Sequence, residues 1–150
     1  YLERMQAPYL NYNFFELIHK NRQVLQPVVF FAEIDGNKVA GSLCFQGKDI
    51  LFGRHWGTSK MIDSLHFECC YYQGIEYCIN NNIKFFDSGV QGEHKIRRGF
   101  EPRLSNSYHY IVKEDFRNAI DSFCKEEYRS IEQYLTACDE YTPIKKEYRI

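Results

Sequence analysis

Three apolar runs joined by two short turns, between residues 28 and 56, constrain this chain more than any other stretch. "VVFFAEI" is followed by "DGN", "KVAGSLCF" by "QGKD", and "ILFGRHW" closes the series. An Asp-Gly pair between β-rich runs is a strong hairpin signal. Both connections are too short for a crossover, so the spacing predicts a three-stranded antiparallel meander. Such a sheet needs helices to cover it, and the flanking sequence supplies them. Residues 8–24 predict a helix, with Leu10, Phe14, Leu17, Ile18 and Val24 (or Leu25) near a 3.6-residue period and Pro27 just beyond.

After the meander, "GTSKMID" reads as a loop, and Asp63 or Ser64 can cap the next helix, "LHFECCYYQGIEYCIN". Its expected core stripe is Leu65, Cys69, Tyr72, Ile75 (or Glu76) and Ile79. A second face carries His66, Cys70, Gln73 and Tyr77. Asn80, Asn81 and Asn82 end it, because Asn tolerates a left-handed cap. "IKFFDSG" predicts a short buried strand, "EHKIRRGF" about two helical turns stopped by Gly99 and Pro102, and "LSNSYHYIV" a further strand. A long amphipathic helix follows over "EDFRNAIDSFCKEEYRSIEQYLTACDE", with Phe116, Ile120, Phe123, Ile131 and Leu135 (or Tyr134) inward. The fold class is therefore α+β, a mostly antiparallel sheet with some parallel character, flanked by helices. At 150 residues, with 44% hydrophobic residues, the chain can bury one core, and a single domain over 1–150 is expected.

The net charge is −1, from 19 basic and 20 acidic residues, which excludes a globally basic nucleic-acid binder. The six cysteines form no C-x-x-C pair, and the expectation is free thiols in a reducing cytoplasm. No apolar run reaches the ~18–20 residues of a membrane span. The chain begins at Tyr1 without Met, which suggests a piece of a longer protein.

Chemistry concentrates in "GVQGEHKIRRGF", residues 89–100. Gly89 and Gly92 let the backbone approach a ligand. Glu93 and His94 can act as a base, Lys95, Arg97 and Arg98 can hold an anion, and Gln91 adds a polar contact. The structural alternative is a Gly-rich turn, an acid favouring a helix N-terminus, and a solvated cationic end. On the central helix, Glu68 stands among apolar and aromatic residues beside His66, Tyr71, Tyr72 and Gln73. If buried, it must pair with a cation such as Arg54, Lys95 or Arg98, either as a site or as a structural ion pair. His66 and Cys70 lie at i, i+4 but have no second ligand pair at metal spacing, so no metal is expected. Arg54, His55 and Trp56 close the third strand, where Trp56 stacks on a substrate or plugs the sheet end. Asp87, at the end of the next strand, ranks behind Glu93 as a base.

"LFGRHWG" (51–57), "LHFECCYYQGIEYCI" (65–79), "FFDSGVQGEHKIRRGFEP" (85–102) and "SYHYI" (107–111), in this order, resemble the FemAB-like family of the GNAT N-acyltransferase superfamily. His55 stands where that pattern has Tyr. The resemblance is dense over 51–111 and implies a GNAT-like fold, with this chain as the C-terminal half of a two-half protein. It further implies acyl or aminoacyl transfer to an amine, with acyl-CoA or aminoacyl-tRNA as donor and a peptidoglycan-precursor peptide as acceptor. GNAT enzymes usually hold pyrophosphate in a Gly-rich loop at a helix N-terminus. The corresponding "GTSKMIDS" has one glycine and an aspartate, which argues against an ordinary CoA site here.

The expected site is therefore Glu93, His94 and Glu68 for catalysis, with His66, Lys95, Arg98, Arg54, Tyr72, Gln73 and Gln91 binding substrate. No firm cofactor is implied. The expected partners are the other GNAT-like half, a peptide or peptidoglycan-precursor substrate, tRNA, and a second copy in a homodimer. The alternative is a GNAT-shaped binding module without catalysis that recognises a peptide or cell-wall fragment.

Overall fold

The meander forms as the turns predict. In the computed structural model, which describes residues 10–90, 92–145 and 147, β1 spans Pro27–Ile34, β2 Asn37–Gln46 and β3 Ile50–Thr58. Both pairs are antiparallel. At the first turn Asp35 and Gly36 take φ of 50° and 77°, the positive values a two-residue hairpin turn needs to match strand twist. A fourth strand, β4 (Phe85–Asp87), lies beside β3 and parallel to it, giving the order β1-β2-β3-β4. The parallel pair requires a crossover, and the central helix supplies it.

Contacts divide the chain into two units, residues 1–90 and 91–150, which are described separately. In the first, the predicted N-terminal helix forms as α1 (Tyr12–Lys20) and a short α2 (Arg22–Leu25). Asn11 caps α1 by accepting the Phe14 N–H at 3.0 Å. Neighbouring strand residues point to opposite faces. His55 accordingly meets Phe14 of α1 edge-to-face at 5.8 Å, and Trp56 meets His66 of the central helix at 5.5 Å. The core cluster joins Cys44, Leu51, Cys78 and Ile83, with Val28, Phe30, Tyr77 and Phe86 packed around it.

The central helix is not a plain α-helix. It runs as α3 (Leu65–Phe67), a π turn (Glu68–Tyr72) and α4 (Gln73–Asn80). The extra residue of the π turn rotates the downstream face, which corrects the predicted stripe. The buried residues are Cys69, Tyr71, Gly74 and Cys78, while Tyr72 and Ile79 are exposed. Gly74 lets the helix approach the sheet, since a Cβ there would lie 2.4 Å from the Phe86 ring. Ser64 is the capping residue, but its side chain bonds Asp63 instead of a helix N–H. Asn82 takes φ 55° after the last turn, as an Asn-rich stop predicts. The strand at 85–87 is less buried than expected, because β4 is an edge strand and Phe85 is exposed.

In the second unit a 3-10 helix spans Glu93–Arg98, and Gly99 ends it. The strand predicted over "LSNSYHYIV" does not form. Residues 101–110 have no assigned regular structure and are exposed, and alternation alone cannot make a strand without a partner ladder. The long helix forms as α5 (Glu114–Cys138). Its expected inward set is only partly covered. Phe116, Phe123, Ile131 and Tyr134 are exposed, and Cys138 is its buried residue. Among the described residues, this unit buries only Ile96 and Cys138 of its apolar side chains, having no sheet of its own to lay a helix against.

Candidate functional site

The first unit gathers its candidate residues around the π turn. His66 is ringed edge-to-face by Trp56, Phe67 and Tyr71, with centroids 5.4–5.5 Å apart. Glu68 is exposed, not buried, so the expected need for a buried cationic partner does not arise. Its carboxylate accepts a hydrogen bond from the Gln73 amide at 2.8 Å. Tyr72 is exposed beside them.

Arg54 owes its place to a β-bulge. Leu43 pairs with His55 and Cys44 pairs with Gly53, so Arg54 is the extra residue between them and points to solvent. Bulges of this kind re-aim side chains and are common beside binding sites. The neighbouring His55 is pushed below the usual imidazole range, first by partial burial and then by the Arg54 charge. Asp87 is committed to structure, its carboxylate accepting the Gly89 N–H at 2.8 Å.

The loop before the central helix is closed on itself. The Thr58 hydroxyl accepts the Lys60 N–H at 3.2 Å, and the Leu65 N–H is taken by the Ile62 carbonyl at 3.3 Å. A helix entrance offers phosphate its unused N–H groups. Here one is already used, and Asp63 stands at the entrance.

The second unit holds the acid–imidazole–cation run. Glu93, His94, Lys95 and Arg98 share the 3-10 helix, and Gln91 lies outside the described residues. Gly92 and Gly99 frame it at φ 108° and 88°, values that L side chains rarely adopt. The His94 ring folds over Gly92, where a Cβ would lie 2.5 Å from its Cε1. The Arg98 guanidinium donates to the His94 carbonyl at 2.7 Å. His94 is pushed below the usual imidazole range, first by desolvation and then by the Arg98 and Lys95 charges. Arg97 turns away to lie over the Tyr141 ring at 5.8 Å. Arg97 and Arg98 of the motif thus have different neighbours.

Two side-chain interactions are not evident from the sequence. Tyr134, read only as a core alternative, has its phenol pushed up to about 12, chiefly by its hydrogen bond to Cys138 and also by Glu93. Ser42, buried on β2, donates to the Cys69 carbonyl inside the π turn at 2.8 Å. A lone Ser in "VAGSLCF" carries no signal of that contact.

A family model described as FemAB-like, peptidoglycan biosynthesis/recognition, matches residues 1–146. The chain belongs to the FemAB-like family. The mixed α+β architecture agrees with the GNAT-like fold of that family. No curated protein and no solved structure matches the chain. Among the described residues of this FemAB-like chain, no helix is long and apolar enough to cross a membrane.

Proposed function

We propose that this FemAB-like chain serves transfer of an acyl or aminoacyl group to an amine, with a peptidoglycan-precursor peptide as the acceptor class. The observation that carries the reading is His94, whose ring folds over Gly92 and whose proton affinity is lowered first by desolvation and then by the Arg98 and Lys95 charges. An imidazole kept neutral at neutral pH can take the proton an attacking amine must lose. Glu93 is the adjacent acid, while Lys95 and Arg98 offer charge to a carboxylate or a phosphate backbone. In the first unit, the Glu68–Gln73 pair with His66 and Tyr72 offers a polar and aromatic surface, and Arg54 an exposed cation, for recognising a peptide. The closed loop at 58–65 favours aminoacyl-tRNA over acyl-CoA as donor.

That same loop supports a second reading, a binding module that recognises a peptide or cell-wall fragment without transfer. Thermal-shift binding of the full-length protein to acetyl-CoA, aminoacyl-tRNA and precursor peptides separates the two. A ligand at about 100 times its Kd stabilises the folded state by about 2.7 kcal/mol. The transfer reading expects shifts with tRNA and peptide, and product formation that falls at least ~100-fold in Glu93→Ala and His94→Ala. A peptide shift with no donor dependence selects the binding module. Wild-type turnover in both variants removes Glu93 and His94 from the mechanism.

A further inference from the structure

The π turn sits where an uninterrupted α-helix would be the default, so something must hold it open. In an α-helix the Cys69 carbonyl accepts from the N–H four residues on, at Gln73. Here the Gln73 N–H bonds to the Glu68 carbonyl instead, an i→i+5 bond. The Cys69 carbonyl is taken by the Ser42 hydroxyl at 2.8 Å, in a buried setting. Among the described residues Ser42 is the buried polar side chain, 2% exposed. Its strand neighbours Leu43 and Cys44 lie opposite the bulged Arg54.

The winding has a direct consequence for the side chains. Five residues along an α-helix are about 140° apart around the axis, so Glu68 and Gln73 would face different ways. The π turn brings them together at 2.8 Å. Single π turns inside α-helices recur at functional sites.

We infer that Ser42 is the positioning residue of this surface: by occupying the Cys69 carbonyl it holds the π winding, and the winding makes the Glu68–Gln73 pair. For the use made of that pair the inference rests on the proposed function. For the winding it does not.

The test is NMR on the full-length protein, reading N–C′ couplings across hydrogen bonds. Wild type shows coupling from the Gln73 N–H to the Glu68 carbonyl. Ser42→Ala is expected to switch that coupling to the Cys69 carbonyl, and Ser42→Thr, which keeps a hydroxyl, to retain the wild-type pattern. If Ser42→Ala gives no folded spectrum, Ser42→Cys fills the space with a weaker donor and is read for the same switch. An unchanged Glu68 coupling in the folded variant overturns the inference. A second readout is transfer to precursor peptide. Ser42→Ala is expected to raise KM by the same factor as Gln73→Ala, about tenfold for a lost hydrogen bond to a charged group, with Thr restoring it. Wild-type KM with a switched coupling overturns the positioning role. A wild-type protein with no transfer at all overturns the proposed function and leaves the coupling result standing.

Discussion

The central helix and the "EHKIRR" turn depart from α-helical winding in opposite directions. At Glu68–Tyr72 the chain is wound loosely, and at Glu93–Arg98 tightly. The loose turn is held from outside. Cys69 and Tyr71 are buried, and a hydroxyl on β2, 27 residues earlier, takes one of its carbonyls. The tight turn is held from within its own neighbourhood, by a glycine at each end, a cation bonding back four residues, and one buried side chain, Ile96. An irregular helix can thus be specified by tertiary packing or by local sequence, and only the second kind can be read before the structure is known.

The largest test of that contrast is Leu51→Ala. Leu51 is fully buried in the cluster beneath α4, and deletion of such a side chain costs about 2–5 kcal/mol. Urea denaturation measures the loss. Hydrogen exchange at residues 68–73 is expected to quicken, because the π turn depends on packing. Unchanged exchange there, in a variant destabilised by this much, would break the comparison.

A smaller effect is expected at the other turn. Gly92→Ala forces φ near 108° on an L residue and drives a Cβ into the His94 ring. Strain of this type costs about 1–3 kcal/mol. The expected signature is local, a displaced His94 resonance with the sheet amides unmoved.

The smallest effect is electrostatic. His94 titrates below its ordinary value in the folded protein, so the unfolded chain binds its proton more readily. The stability this contributes is present above about pH 6.5 and is lost as the pH falls toward the lower folded value. In an NMR titration Lys95→Ala should raise the His94 midpoint only part of the way. Local desolvation, the leading cause, remains. A return to the ordinary value would mean that charge, not desolvation, sets it.

The same division explains what was legible in the sequence. The meander, a short strand at 85–87, the Asn-rich helix stop and the extent of α5 follow from period, turn chemistry and breakers, all local properties. The buried face of the central helix was misread because a 3.6-residue count cannot anticipate an inserted residue. The shift from Tyr72 to Tyr71 and Gly74 accompanies the π winding at Glu68–Tyr72, which no local count reveals. The "LSNSYHYIV" segment has strand-like alternation, but alternation describes a preference and pairing needs a neighbour. Of the site, the Glu93–Arg98 run could be found in the sequence because its residues are contiguous. Arg54 was named without its bulge, since a bulge is a property of two strands in register. Glu68, which would need a cation if buried, lies outside, its partner an amide.

The distribution of sulfur and indole makes the molecule readable by simple probes. Cys44, Cys69, Cys78 and Cys138 are buried, while Cys124 is exposed on α5. Burial pushes the Cys44 thiol up to about 11, which keeps it in the unreactive thiol form at neutral pH. Mild alkylation will therefore mark Cys124 ahead of the buried thiols. Trp56, the single tryptophan of the chain, stands against His66 at the candidate surface of the first unit. The wild-type protein thus carries an optical reporter in one unit and a chemical handle in the other, each addressable without changing a residue.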